Sequence, residues 1–280
     1  MVSFGAILLT MSEQKASYIN RLLTSLDDTT LVSSRWLRAH GYSTSLVARY
    51  VASGWLESPA RGVYLRKGGR LQWASVVRSL QSRESLSLYV GGRFALALQG
   101  YEHYLRLGEA PVVTLYGSDR PPGWVARLPL EARFEFCGGA PFDLALPDLT
   151  ANTSDRELLA QGLGRLAELD GIVCSSPERA MLELCDRPPG AALVYEVDAL
   201  MQGMATLRPA RVGLLLRHCR SVKAKRLFLA LAERHRHAWL AHVSMEGVDL
   251  GSGKRSLVSG GRLHPTYQIT LPGDLDEHLG

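Results

Sequence analysis

The sequence has little that would tie it to an oxidising compartment or to a membrane. It contains four cysteines in 280 residues, Cys137, Cys174, Cys185 and Cys219, and no CxxC pair. A chain of this length can bury a large apolar core without disulfides, so we expect reduced thiols. No apolar run approaches the about 20 residues that a membrane-spanning helix needs. We therefore expect a cytoplasmic protein that does not enter a membrane.

The sequence also lacks the common motifs of catalysis and of cofactor or metal binding. The segment Gly91-Gly92-Arg93 does not continue into a GxGxxG motif, and no GxSxG, HExxH or zinc-like Cys/His spacing occurs. A P-loop around Gly251–Arg255 would need glycine at Val248 and Ser or Thr at Arg255. We expect no catalytic residue, no metal and no cofactor. An enzyme whose acidic side chains meet only on folding is a minor alternative.

Residues 1–12 are predicted to be a disordered extension. The stretch from Val2 to Leu9 is apolar, but no Lys or Arg precedes it and no small-residue cleavage site follows. A signal peptide is therefore not expected. Met11 is the more natural start, because a helical pattern begins directly after it.

Positive charge is concentrated near the N-terminus. Residues 1–80 carry ten basic and four acidic side chains, which gives a net charge of +6. Residues 81–280 carry 22 basic and 23 acidic side chains, which gives a net charge of −1. A small basic segment on a near-neutral body is typical of proteins that bind a polyanion. On charge alone, a solvated basic face without a partner is an equal alternative.

The basic segment has the pattern of a winged helix-turn-helix. Apolar spacing predicts helices over about 13–26 and 32–40, with Gly41 as a left-handed stop. A third helix is capped by Ser43 and ends before Gly54, and its outward face consists of Ser45, Ala48, Arg49 and Ala52. A hairpin follows, with a turn at 58–62 and a second strand at 63–66. The alternative is a basic three-helix domain that docks a protein.

In a winged helix the third helix enters the major groove and the wing lies against phosphates. Arg49 is the expected base or phosphate contact, with Thr44 and Ser45 beside it. Phosphate contacts are expected from the preceding helix, the hairpin tip and the hairpin exit; these residues are Arg35, Arg38, Arg61, Arg66 and Lys67.

The rest of the chain mixes helices and strands without βαβ alternation, which favours an α+β fold. We expect strands at 112–116, 133–137 and 267–271, and helices after Ser176 and at about 191–203, 209–218 and 223–236. His235 falls on an inward stripe and is expected to be a hydrogen-bonded core residue. The predicted domains are 13–75, the winged helix-turn-helix, and 80–280, the larger mixed domain.

A second basic segment lies within this larger domain. Residues 208–236 carry nine basic side chains and only Glu233, whereas residues 143–198 carry eleven acidic and four basic ones. One hypothesis is a second basic surface that extends a DNA contact or binds an acidic partner; its members are Arg220, Lys223, Lys225, Arg226, Arg236, Lys254 and Arg255. The equal alternative is pairing with the acidic segment of the same chain.

Several stretches of the larger domain carry a family resemblance. In sequence order they are Gly91–Leu105, Ser176–Ala180, Leu207–Pro209, Ser221–Phe228, Asp249–Ser256 and Tyr267–Thr270. Behind a winged helix, this series closely resembles the AbiEi antitoxins of bacterial type IV toxin–antitoxin systems, from about residue 13 to 272. Single motifs such as GG-x-x-A-L are weak, but their order and number together are specific.

The resemblance implies an antitoxin that also represses transcription of its own operon. Its winged helix would bind double-stranded DNA at inverted repeats in its own promoter. It would counter a nucleotidyltransferase toxin of the AbiEii class, directly or indirectly, with the C-terminal domain active against the toxin and assisting repression. A second hypothesis is an interaction module whose body binds a protein or RNA and whose winged helix does not regulate.

Overall fold

The computed structural model describes residues 18–101, 110–147, 149 and 152–275. The predicted extension 1–12, the first residues of the predicted first helix and the segment 102–105 of the first motif lie outside these residues. The chain divides into two compact units: Met1–Glu84 with Pro121–Glu131, and Ser85–Arg120 with Ala132–Gly280. The predicted domain bounds, 13–75 and 80–280, stay a prediction.

The first unit has the element order of a winged helix-turn-helix. Residues 18–25 are helical and form the described part of α1. The elements that follow are β1 (Val32–Ser33), α2 (Ser34–Ala39), α3 (Thr44–Ala52), β2 (Leu56–Ala60), β3 (Val63–Arg66) and α4 (Trp73–Ser82). The three strands form an antiparallel sheet in the order β1-β3-β2.

Local signals set the helix ends in this unit. The hydroxyl of Ser33 accepts from Trp36 N at 3.0 Å, and that of Ser43 accepts from Leu46 N at 3.3 Å, so each serine caps a helix. Gly41 has φ +84°, a left-handed conformation that glycine adopts without steric cost, and it ends α2 as predicted.

Two predicted boundaries in this unit are wrong. The second helix was expected from Val32, but Val32 and Ser33 pair with β3 as a short strand, since β-branched valine suits a buried ladder position. The turn predicted at 58–62 is shorter, because Ala60 pairs with Val63 and leaves only Arg61 and Gly62 between the strands.

One apolar core holds α1, α2, α3 and the sheet together. Its buried members are Leu22, Leu26, Val32, Leu37, Tyr42, Val47, Tyr50 and Leu56. The apolar residues predicted to face inward on α3, Leu46, Val47, Tyr50 and Val51, all belong to or pack against this cluster. The opposite face of α3 is therefore left to solvent.

The second unit is built around a mixed five-stranded sheet. Its strands are β4 (Leu88–Val90), β5 (Val112–Gly117), β6 (Arg133–Cys137), β7 (Leu163–Leu166) and β8 (Ile172–Ser175), in the order β6-β5-β4-β8-β7. The helices are α5 (Gly92–Leu98), α6 (Asp155–Ala160), α7 (Pro177–Cys185), α8 (Ala191–Gln202), α9 (Pro209–His218) and α10 (Val222–Arg234). A small sheet of β9 (Arg255–Ser256), β10 (Arg262–Leu263) and β11 (Ile269–Leu271) completes the unit.

The α+β prediction is confirmed, because parallel and antiparallel pairs mix in one sheet without regular crossovers. The first and last residues of β6 are those predicted. The ends of β5 and of α8–α10 lie within two residues of the predicted ends. The strands β4, β7 and β8 were not predicted. The four cysteines are free, and burial raises the pKa of Cys174 to about 12, which keeps its thiol protonated.

A buried carboxylate lies at the centre of this unit. Glu183, on α7, is 1% exposed. Its Oε1 accepts from Tyr89 OH at 2.9 Å and from Arg179 Nε at 3.0 Å, and its Oε2 accepts from Ser175 Oγ at 2.8 Å and Gly92 N at 2.9 Å. Burial, with the Glu183 charge, raises the pKa of Tyr89 well above its usual value, so the phenol remains a donor. The carboxylate thus joins β4, β8, α5 and α7.

The same contacts account for the two glycines that open α5. A Cβ on Gly91 would lie 2.5 Å from Glu183 Oε2 and 2.5 Å from Tyr116 Cδ2, closer than real side chains approach. Gly92 has φ +55° and presents its N–H to Glu183. The Gly91-Gly92 pair is therefore a packing requirement of this cluster.

Replacing Glu183 by glutamine should destabilise the second unit strongly. Glu183→Gln removes the charge that compensates buried Arg179 and turns an amide donor toward groups that are donors themselves. We expect a loss of about 3–5 kcal/mol in the free energy of unfolding, measured by chemical denaturation. Glu168→Gln, an exposed matched control, should change it by less than about 0.5 kcal/mol. Equal stability of the two variants would contradict the role assigned to Glu183.

Candidate nucleic-acid interface

The outward face of α3 is the face that the helical periodicity predicted. Ser45, Ala48, Arg49 and Ala52 are all exposed, as is Thr44 at the first turn. Three of the four carry no more than a methyl or hydroxyl group, so another surface can approach the helix backbone closely. The Ser45 hydroxyl lies 3.1 Å from that of the capping Ser43. The Arg49 guanidinium has no partner among the described residues and is available to a ligand.

The hairpin of β2 and β3 places basic side chains at its tip and its exit. Arg61 is exposed in the two-residue turn, where Gly62 has φ +84°. Arg66 and Lys67 are exposed at the end of β3. The Lys67 ammonium lies 3.1 Å from the position that a Cβ on Gly54 would take, next to the C-terminal end of α3. A cation there also interacts favourably with the helix dipole.

Three of the predicted phosphate contacts already have partners in the protein, all of them weak. Arg66 Nη1 lies 3.9 Å from Asp28 Oδ1, and Arg35 Nε lies 4.0 Å from Glu84 Oε2, with the Arg35 side chain 76% exposed. Arg38 Nε donates to Ser34 O at 3.3 Å. The Arg66–Asp28 pair is exposed on both sides, and such pairs contribute about 0–1 kcal/mol. Glu84 is buried, but its contact with Arg35 is long and the Arg35 side chain remains exposed, so neither contact prevents these arginines from binding phosphate.

Trp55 is a surface residue that was not predicted. Its indole is 52% exposed, while its backbone is held by bonds from Trp55 N to Tyr50 O and from Lys67 N to Trp55 O. It follows α3 and precedes the buried Leu56. Two adjacent apolar residues show no alternation in the sequence, so only the structure tells which of Trp55 and Leu56 is exposed.

The second basic surface is smaller than predicted. Lys225 and Arg226 were expected on outer faces, but each is only 3% exposed, so this part of the prediction is wrong. Arg226 donates to Leu250 O, Gly251 O, Gly253 O and Gln268 O at 2.6–3.1 Å. Lys223 donates to Asp186 O and Arg187 O at the end of α7. Side chains that periodicity assigned to solvent therefore bind backbone carbonyls instead.

Other basic residues of this segment pair with acidic residues of segment 143–198, as the alternative hypothesis predicted. Arg211 Nη1 lies 3.5 Å from Glu178 Oε2, and Arg234 Nε lies 3.2 Å from Asp198 Oδ1. His235 Nε2 lies 2.8 Å from Asp198, so His235 is the hydrogen-bonded core residue that was predicted. The members of the predicted surface that are exposed are Arg220, Arg236, Lys254 and Arg255.

The described residues contain no group of three or more His, Cys, Asp or Glu side chains arranged to hold a metal ion. Within the described part of the chain, no helix is long and apolar enough to cross a membrane.

Comparison with known families places both units in one family. A profile described as "Transcriptional regulator, AbiEi antitoxin, Type IV TA system" matches residues 110–272. A second, described as "Transcriptional regulator, AbiEi antitoxin N-terminal domain", matches residues 15–107. The chain belongs to the AbiEi family of type IV antitoxins. The family is one of transcriptional regulators, and the resemblance drawn from the motifs is confirmed.

A solved structure has the same fold. It is described as the crystal structure of the RV2827C protein from Mycobacterium tuberculosis, and it superimposes with a TM-score of 0.55 over 93% of this chain and 94% of that chain. The sequence identity is 16%, so the likeness concerns the fold alone. No functionally curated protein matches the chain.

Replacing Arg226 should destabilise the second unit, although periodicity had assigned this residue to the surface. Arg226→Met keeps much of the side-chain volume but leaves the carbonyls of Leu250, Gly251 and Gly253 without their donor, while Gln268 O keeps its bond from Arg255 N. We expect the free energy of unfolding to fall by roughly 3 kcal/mol or more, with faster proteolysis of residues 250–254. Arg255→Met is the control at an exposed site, and its free energy of unfolding should stay within about 0.5 kcal/mol of that of the unaltered protein. An Arg226→Met protein as stable as this control would show that these hydrogen bonds are dispensable.

Proposed function

We propose that the chain represses its own operon by binding double-stranded DNA with α3 and the β2–β3 hairpin. The observation that carries the proposal is the exposed α3 face with an unpartnered Arg49, in a chain of a transcriptional-regulator family. In this proposal α3 lies in the major groove, and Arg49 contacts a base edge or a phosphate, with Thr44 and Ser45 beside it.

The remaining basic residues position the module on the DNA. Arg61 at the hairpin tip and Lys67 at its exit contact phosphates, and Arg35, Arg38 and Arg66 add further contacts. Such contacts supply affinity and orientation, but they carry no sequence information. Specificity therefore depends on the short face of α3 and on the shape of the operator.

The operator consists of inverted repeats in the promoter of the operon, each half-site bound by one winged helix. Two-fold sequence symmetry in DNA mirrors two-fold symmetry of the bound proteins, so two copies bind one operator. The second unit carries the antitoxin activity and assists repression. The toxin is a nucleotidyltransferase of the AbiEii class, which the antitoxin counters directly or indirectly.

Operator affinity should fall steeply as salt rises. Each phosphate that the protein neutralises contributes about −0.9 to the slope of log K against log salt concentration. Arg61→Ala should reduce the magnitude of this slope by about one per bound copy. The slope is measured by titrating labelled promoter DNA with protein and following fluorescence anisotropy at several salt concentrations. A slope that Arg61→Ala leaves unchanged would remove the hairpin tip from the contact.

Arg49→Ala should weaken operator binding more than it weakens binding to unrelated DNA. The expected cost is about 1–3 kcal/mol if Arg49 binds a base edge, and a uniform loss on all sequences if it binds only phosphate. An electrophoretic mobility shift on both DNAs separates the two cases. Arg156→Ala, an exposed arginine of the second unit, is the control, and equal binding by both variants would exclude Arg49 from the interface.

The full-length chain with Arg49→Ala, Arg61→Ala and Lys67→Ala combined tests the regulatory role in cells. Loss of promoter repression, read from a reporter gene, supports the proposal. Full repression by this variant would instead support the second hypothesis, in which the winged helix does not regulate and the body binds a protein or RNA.

A further inference from the structure

A cavity of about 270 Å³ lies at one edge of the five-stranded sheet. Gly117 and Ser118 at the end of β5, and Gly138 and Gly139 directly after β6, line it. Because β5 and β6 run parallel, both loops leave the sheet at the same edge. Ser87 enters β4 there, since β4 is antiparallel to β5.

The residues that line this cavity include two arginines and neither aspartate nor glutamate. Arg220 is exposed and makes one long contact, from Nη2 to Ala140 O at 3.4 Å. The hydroxyls of Ser87 and Ser118 have no hydrogen-bond partner among the described residues. The polar side chains of the wall are therefore donors, and the carboxylate of Asp119, which accepts from Ser87 N at 2.7 Å, is not among the lining residues.

Arg179 is the second arginine, and its donors are incompletely used. A guanidinium has five N–H groups. Three bond to Glu183 Oε1, Tyr89 OH and Gln161 O, which leaves two without an acceptor in the described part of the chain. The residue is only 1% exposed, and buried donors are almost always paired, because an unpaired one costs about 1–3 kcal/mol.

The guanidinium of Arg179 is also fixed in orientation. Its central carbon lies 4.9 Å from the centroid of the Tyr89 ring and 4.5 Å from that of the Phe142 ring. Three of its N–H groups are held by Glu183, Gln161 and Tyr89, and these bonds fix the plane in which the remaining donors lie. Phe142, Leu144 and Leu146 give the cavity an apolar wall beside the donors.

We propose that this cavity binds a small phosphate monoester whose substituent packs against the apolar wall. A phosphate monoester carries about −1.5 to −2 charge at neutral pH and three acceptor oxygens, which suit two guanidinium groups and two hydroxyls. The Arg179 fork and the serine hydroxyls bind the phosphate, and Arg220 closes over it. This site is separate from the proposed DNA contact and does not depend on it.

Isothermal titration calorimetry on the full-length protein without DNA tests the site. The probes are phenyl phosphate, inorganic phosphate and phenol, each at the same ionic strength. We expect phenyl phosphate to bind more tightly than inorganic phosphate and phenol not to bind. The proposal would be overturned if phenol bound as tightly as phenyl phosphate. It would also be overturned if neither phosphate, at millimolar concentration, gave a detectable heat of binding.

Variants distinguish this cavity from general attraction of anions to basic residues. Arg220→Gln should lower the affinity for phenyl phosphate about tenfold or more, because a charge-assisted hydrogen bond is lost. Arg236→Gln makes the same charge change at an exposed site outside the cavity and should leave the affinity unaltered. Equal weakening by both variants would show non-specific binding and would exclude the site.

Gly139→Leu provides an independent test by filling the cavity. A Cβ on Gly139 meets no atom within 4 Å, so a side chain can leave the backbone there without a clash at its first atom. Binding of both phosphates should be lost while the thermal unfolding midpoint stays the same. A folded Gly139→Leu protein with unaltered affinity would place the ligand elsewhere. If this variant does not fold, the comparison of Arg220→Gln with Arg236→Gln decides.

Discussion

The carboxylate of Glu183 accepts four hydrogen bonds inside the second unit, and the packing of the surrounding elements depends on them. A buried charge is tolerated only when it is paired and its lone pairs are satisfied. Here Arg179 supplies the counter-charge, while a tyrosine, a serine and a backbone N–H supply the remaining donors. Because these donors come from two strands and two helices, one side chain links the sheet to α5 and α7.

The motifs that carry the family resemblance meet one another through contacts of this kind. Gly92 of the first motif and Arg179 of the second both bind Glu183. Glu178 accepts from Arg208 N at 3.0 Å and from Arg211, which links the second motif to the third. Arg226 links the fourth motif to the carbonyls of Leu250, Gly251, Gly253 and Gln268 in the last two. These motifs therefore describe how the second unit is held together, whereas the predicted DNA contacts lie outside them.

The two units differ in how much of their structure can be inferred locally. In the first, helix caps, a left-handed glycine and one apolar stripe are all encoded within a few residues, and the faces of α3 follow from its period. In the second, β4, β7 and β8 are strands of three or four residues, too short for an alternating pattern to appear, and β4 and β8 are buried throughout. Only their neighbours in the sheet distinguish such strands from short helical or irregular segments.

By itself the sequence determined the winged helix-turn-helix order, the exposed face of α3 and the family, because each depends on spacing within short segments or on the order of motifs. Only the tertiary structure decided that Lys225 and Arg226 are buried, since the acceptors of Arg226 lie 24 to 42 residues further along the chain. The same is true of the cavity beside Arg179, which forms from loops that meet only when β5 and β6 pair. Periodicity assigns a charged side chain to solvent by default, and burial becomes favourable only when folding brings hydrogen-bond acceptors to it.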